Sequence, residues 1–179
     1  GHAPAPRPLK AAAVLVPLVE REAGVTVLLT RRADTLRSHG GQVAFPGGQI
    51  DAGETPWAAA LREAREEIGL DAGLVTLAGL SCGYQTTSGF DITPVVGFVE
   101  PNFTLKANPA EVADIFESPF AFLMNPDNHE RRFLDGTDGA RRHFYAMPYQ
   151  ERLIWGATAG ILRALYERLY GATAVSAAE

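Results

Sequence analysis

The chain has 179 residues, 46% of them hydrophobic, enough to bury one sizeable core within the span of a single domain. Its 16 Lys and Arg against 21 Asp and Glu give a net charge of −5 and a pI near 5.4, which argues against a general nucleic-acid scaffold. One cysteine, Cys82, excludes an internal disulfide and a cysteine-rich zinc centre, and no apolar run approaches the roughly 20 residues that cross a bilayer.

Gly1-His2 reads as a cloning remnant and Ala3 to Pro8 is Pro-rich, so residues 1–9 are set aside as a flexible lead without the order of a signal peptide. The expected setting is cytoplasmic, with no membrane partner. Ala11 to Leu18 and Val25 to Leu29 are apolar runs around the polar break Glu20-Arg-Glu-Ala-Gly24, which predicts two strands joined by a turn. A stretch bearing Arg31, Arg32 and Arg37 follows, then Gln42-Val-Ala-Phe-Pro-Gly-Gly48, a short strand stopped by Pro46 and two glycines. Thr55 ahead of Pro56 is a hydroxyl N-cap before a proline at the first helical position, and Gly69 is a stop, so a helix is expected over residues 55–68. Leu74 to Leu80, Ile92 to Val99, Arg132 to Leu134 and His143 to Met147 read as further strands, the last two joined by the turn Asp135-Gly-Thr-Asp-Gly139. Apolar residues from Leu153 to Leu169 recur at helical spacing and predict a closing helix over about 156–170, with the Ala-rich residues 172–179 as a loose tail. Strands enclosed by two helices, with no repeat or linker between them, predict one α+β unit over residues 10–171, a mixed sheet sandwiched between helices.

The chemistry concentrates on the first helix, where Arg62-Glu63-Ala64-Arg65-Glu66-Glu67-Ile68-Gly69-Leu70 places three glutamates at i, i+3 and i+4. On an α-helix those positions share one face, so like charges crowd, and a cation is the simplest reason to keep them. Mg²⁺ suits such a set because it takes oxygen donors, keeps several waters and is commonly completed by substrate phosphates. The plainer alternative is a solvated face with an Arg62–Glu66 pair. Against it stands Phe45-Pro46-Gly47-Gly48, set at fixed spacing before the helix, where glycines allow backbone to approach a ligand closely. His39, His129 and His143 are scattered and form no ligand spacing, and Cys82 is expected to be inert core.

Read from Gly48 through Glu54 to Leu70, this pattern resembles the Nudix box, and the resemblance implies an α/β/α sandwich. It implies that Glu63 and Glu67 are direct ligands of Mg²⁺ or Mn²⁺, that Glu66 is a ligand, a water-mediated partner or a catalytic group, and that the carbonyl of Gly47 is a further donor. Arg62 and Glu54 would orient the cluster. The departure is Ala64, where the box prefers a bulky aliphatic residue, and it bears on helix packing. The implied reaction is attack of water on a diphosphate linkage with metal assistance.

A second block, Leu28-Leu-Thr-Arg-Arg32, Arg37, Gly41 and Phe45-Pro-Gly-Gly48, resembles the coenzyme A pyrophosphatase branch of that family, and the likeness continues through Gln42-Val-Ala44, Thr93-Pro-Val-Val-Gly97 and Trp155-Gly-Ala-Thr-Ala-Gly-Ile161. The implied reaction is cleavage of coenzyme A to 4′-phosphopantetheine and adenosine 3′,5′-bisphosphate. Arg32 and Arg37 then stand as contacts to substrate phosphates, or as braces of their loop. Downstream, Ser81-Cys-Gly-Tyr-Gln-Thr-Thr-Ser88 lacks the prolines of the ADP-ribose and NADH branches, and Tyr84 reads as a packed loop tyrosine. Hydrolysis of ADP-ribose, a dinucleotide or a nucleoside triphosphate is the second reading, and a non-catalytic ligand-binding module the third. The expected partners are the small-molecule substrate and no nucleic acid, in a monomer or homodimer. Members of the family draw a general base from beyond the box, and Asn108 to Glu117 holds Glu111, Asp114 and Glu117 there; Glu111 fits the resemblance best. The alternative makes Asn108 an N-cap, Pro109 the first helical residue and Glu111 the third position of a capping box.

Overall fold

The computed structural model describes residues 5–176. Strands β1 (Lys10–Arg21) and β2 (Gly24–Arg32) form an antiparallel hairpin in which Arg21 faces Gly24. Both are longer than the apolar runs alone indicate, because sheet pairing carries the polar ends along. On β1, Ala13, Leu15 and Val19 point to one face while Val16 and Leu18 point to the other, and all five are buried. A strand covered on both faces reads as a continuous apolar run rather than an alternating one, which is how this stretch looks in the sequence.

The glycine-bearing segment forms two short strands, β3 (Val43–Ala44) against β2 and β4 (Gly47–Gln49) against β1, because Pro46 interrupts them. Helix α1 (Pro56–Ile68) follows, then a short 3₁₀ turn and β5 (Val75–Leu80), β6 (Tyr84–Gln85) and β7 (Phe90–Val99). Strand β7 runs parallel to β1 and antiparallel to β5, so the sheet is mixed, as expected. Strand β8 (Val112–Pro119) pairs with β2 and leads into a four-residue helix, α2 (Phe120–Leu123). The second sheet joins β9 (Glu130–Asp135), β10 (Arg141–Tyr149) and β11 (Arg152–Trp155), and α3 (Gly156–Ser176) closes the chain.

Two cores result. One holds Leu15, Val95 and Ile68 between the large sheet and α1; the other holds Leu29, Met147, Ile154 and Leu162 between that sheet and α3 with the small sheet. This is the helix–sheet–helix layering anticipated. Three expectations change. The stretch after Asn108 does not start a helix: Val112, Ile115 and Phe116 pair along β2, and Asn108 caps a turn instead. Leu153 and Ile154 belong to β11 and not to a helical stripe. Cys82 is exposed rather than core, near Arg168 of α3. Tyr84 is packed as expected, its ring against Gly160. The closing helix continues to Ser176, and the remaining residues of the expected tail and of the lead, 177–179 and 1–4, lie outside the described residues. No helix among the described residues is long and apolar enough to cross a membrane.

Candidate active site

Helix α1 begins as its residues dictate. The Thr55 hydroxyl accepts the Ala58 N–H at 3.1 Å, Pro56 occupies the first turn, and Gly69 ends the helix in the left-handed region at φ 67°. Its inner face is Ala59, Ala60, Ala64 and Ile68, all fully buried. Three alanines let the helix lie close on β1, which accounts for Ala64 where a bulky aliphatic was expected.

Residues four apart on a helix are offset by about 40°, and residues three apart by about 60° the other way. That difference divides the glutamates. Glu63 and Glu67 line a cavity of about 180 Å³ together with Thr30, Arg32, Gly47 and Glu111, whereas Glu66 has a side chain 54% exposed and is absent from the wall. Leu36, Ala44 and Val112 complete the lining.

Close approach of β4 to its two neighbours requires both glycines, Gly48 toward α1 and Gly47 toward β1. A Cβ on Gly48 would lie 2.5 Å from a Glu63 carboxylate oxygen, and one on Gly47 would lie 2.7 Å from the Val14 side chain and collide with the Ala13 carbonyl. The Gly47 N–H favours the charged form of the Glu67 carboxylate. Even so, burial, then the charges of Glu63 and Glu111, push the Glu67 carboxyl up to about 8; the Gly47 N–H and Arg32 oppose the rise. Burial also raises Glu63, against the pull of Arg62.

Arg62 holds this cluster from behind. Its Nε and Nη2 donate to both oxygens of Glu54 at 2.9 and 3.0 Å, its Nη1 donates to Glu63 at 2.9 Å, and Nη2 also reaches the Gln49 carbonyl. Glu66 is a more distant partner at 3.5 Å. The guanidinium therefore spends its fork on Glu54 and Glu63, and the solvated Arg62–Glu66 pair is the minor interaction. Arg62→Lys keeps the charge and loses the fork, so turnover is expected to fall roughly 10- to 100-fold in a folded protein. Steady-state kinetics beside a thermal melt test this; a loss below about twofold would make the fork incidental.

Of Glu111, Asp114 and Glu117, one lies on the cavity wall. Glu117 accepts from Arg21 Nε and Nη2 and from the Thr26 hydroxyl, and Asp114 accepts from Arg152, so both are engaged outside the cavity. Glu111 alone of the three lines it, and its buried Oε2 has no hydrogen-bond partner. Arg32 lines the same cavity with a buried, unpartnered Nε. Arg37 is exposed in the loop after β2 and is not on the wall. Arg132, Arg141 and Arg142 pair with Glu130, Asp135 and Asp138 of their own hairpin, and none of these or of His39, His129 and His143 reaches the cavity.

Thr30 was not singled out from the sequence. Its hydroxyl donates to the Ala44 carbonyl, and it sits two residues before Arg32 on one face of β2. The period of two along a strand is the signal that groups them.

Among the described residues no three acid, His or Cys side chains form a complete metal cage. The donors still fit a hard divalent cation that takes the rest of its shell from water and substrate: they are all carboxylate oxygens, one of them buried without a donor, beside backbone that only glycine allows so close.

A family model described as "NUDIX domain" matches residues 9–136. A Photorhabdus laumondii protein named "Uncharacterized Nudix hydrolase NudL" is 41% identical over 160 residues, covering 88% of this chain and 84% of that one. A Cronobacter sakazakii protein of the same name is 43% identical over 161 residues, with 86% and 80% covered. Of solved structures, a Nudix hydrolase from M. smegmatis, RenU, aligns with a TM-score of 0.59 at 24% identity over 94% of this chain and 88% of that one. The Nudix domain of Shewanella oneidensis NrtR, complexed with ADP ribose, aligns with a TM-score of 0.57 at 17% identity, covering 94% of each chain. At these identities the structural matches establish the fold.

Proposed function

Because this chain belongs to the Nudix hydrolase family, we propose that it hydrolyses the diphosphate linkage of coenzyme A or a derivative, giving 4′-phosphopantetheine and adenosine 3′,5′-bisphosphate. The observation that carries the reading is one cavity with Glu63, Glu67, Glu111 and Arg32 on its wall, where the Arg32 charge acts on Glu67. The choice of substrate rests on the sequence block before the helix; Thr30, Arg32 and Gly47 of that block, with Ala44 of the stretch that continues the likeness, line the cavity.

Glu63 and Glu67, with backbone at Gly47, would hold Mg²⁺ or Mn²⁺. When bound, such a cation supplies positive charge against the phosphoryl oxygens and acidifies water. Arg32 binds the diphosphate, since a guanidinium makes charge-assisted paired bonds to phosphate oxygens. Glu111 takes the proton as the water oxygen bonds to phosphorus and the bridging P–O bond breaks. Arg62 and Glu54 fix the Glu63 carboxylate, and Glu66 faces the solvent side of the helix.

A panel of coenzyme A, dephospho-coenzyme A, ADP-ribose, NADH, a dinucleoside polyphosphate and a nucleoside triphosphate, with products identified by mass, tests the proposal. Coenzyme A should have the highest kcat/KM. Preference for ADP-ribose would replace the substrate and keep the family chemistry. Within the same assay, Glu111→Gln should leave the melting temperature in place and lower kcat by roughly 10²- to 10⁴-fold, the range of a positioned base. An unchanged kcat would remove Glu111 from the mechanism.

A further inference from the structure

The placement of Glu111 has an unusual source. It is carried by neither the helix nor a strand but by the turn at residues 108–111, and most backbone groups of that turn are hydrogen-bonded. The Asn108 N–H donates to the carbonyl of Glu67 at 2.8 Å. The Asn108 carbonyl accepts the N–H groups of Glu111 at 3.0 Å and Val112 at 2.8 Å. The Asn108 side-chain oxygen accepts the Ala110 N–H at 3.1 Å, the Asx turn that short polar side chains form. The Glu111 carbonyl then accepts the N–H of Ala33, the neighbour of Arg32.

One residue thus ties the last turn of α1, through the backbone of Glu67 itself, to the residue whose carboxylate faces Glu67 across the cavity. We infer that Asn108 is a positioning residue, whose side chain holds the turn in the shape that aims Glu111 at Glu63 and Glu67. The inference rests on the reading of Glu111 as the base. A purely structural cap would stabilise the loop without regard to Glu111. A positioning residue loses its importance once the group it positions is inert.

The experiment is a double-mutant cycle on the intact chain with Asn108→Ala, Asn108→Asp, Glu111→Gln and the Asn108→Ala/Glu111→Gln pair, each measured for kcat, KM, melting temperature and Mn²⁺ affinity. Asn108→Ala should lower kcat about tenfold with KM within about twofold, as the loss of an outer supporting bond does. Asn108→Asp, which keeps an oxygen to accept the Ala110 N–H, should recover most of that loss. In the Glu111→Gln background, Asn108→Ala should cost less than about twofold, because coupled sites are not additive. Within each background, Asn108→Ala should leave Mn²⁺ affinity unchanged. The inference is overturned if Asn108→Ala costs as much without the Glu111 carboxylate as with it, if Asn108→Asp fails to rescue, or if Mn²⁺ binding weakens in step with kcat, which would place the effect on α1. If Glu111→Gln is impaired and Asn108→Ala is not, the inference alone fails. If Glu111→Gln keeps parental turnover, the base reading fails, and the inference with it.

Discussion

Glu67→Gln is expected to remove turnover by about 10³-fold or more while making the metal-free protein more stable at alkaline pH. Glu67 is 8% exposed and shares its cavity with Glu63 and Glu111, so its charged form is disfavoured and its carboxyl is pushed up to about 8. A carboxyl whose folded pKa lies above its unfolded value binds more protons when folded, so stability falls as pH rises between the two. Its contribution is complete below the unfolded carboxylate pKa and is lost as pH climbs through about 8. The metal-free parent should therefore melt lower at pH 8.5 than at pH 6, by an amount that reaches a few kcal/mol since each pKa unit is worth about 1.4 kcal/mol. A divalent cation that binds the ionised site reverses the slope by favouring the folded, deprotonated form. Glutamine cannot ionise, so the variant should lose most of the slope and of the response to Mg²⁺. The part due to Glu63, also raised by burial, remains. Melts in chelator and in Mg²⁺ at both pH values decide it: a parental slope in Glu67→Gln would mean that another group carries the proton.

The second large effect separates two adjacent glycines. A Cβ on Gly47 meets the backbone of β1, at 2.8 Å from the Val14 Cα and closer still to the Ala13 carbonyl, so β4 must leave its partner. Backbone cannot rotate aside, and Gly47→Ala should cost about 3 kcal/mol or more, the upper range for overpacking. The three atoms nearest to a Cβ on Gly48 all belong to the Glu63 carboxylate, the closest at 2.5 and 2.6 Å, and that side chain can move. Gly48→Ala should therefore keep stability within about 1 kcal/mol and instead displace Glu63, lowering Mg²⁺ affinity and turnover together. Denaturant melts and metal titrations of the two variants distinguish them. Equal loss of stability in both would show that the Gly48 contact is not relieved by Glu63.

The two glycines also show what kind of information each level holds. That the backbone comes close to something at Gly47-Gly48 is legible in the sequence, because two glycines after a proline have few other uses. What it approaches is not: one glycine faces a neighbouring strand and the other a carboxylate, and only the pairing of β4 with β1 decides which. The glutamates divide similarly. Helical spacing puts Glu63, Glu66 and Glu67 on one face, but that face is wider than the cavity. Burial of the Ala59, Ala60 and Ala64 face of α1 turns Glu63 and Glu67 toward the cavity and leaves Glu66 in solvent.

By itself the sequence determined α1 with both its caps, the mixed sheet between helices, and the helical spacing that brings Glu63 and Glu67 to one wall of the cavity, because capping, apolar periodicity and charge spacing are local properties that neighbouring residues specify. The tertiary structure decided what depends on contacts distant along the chain. It turned the stretch after Asn108 into a strand, because pairing with β2 outweighs a local helix start. It set Glu117 and Asp114 against Arg21 and Arg152, and left Glu111 facing the cavity with a free oxygen. Arg32 reaches that cavity and Arg37 does not, although both belong to the same short block. A side chain's partners follow from which strand lies beside its own, and residues close in sequence share that only when one regular element carries them both.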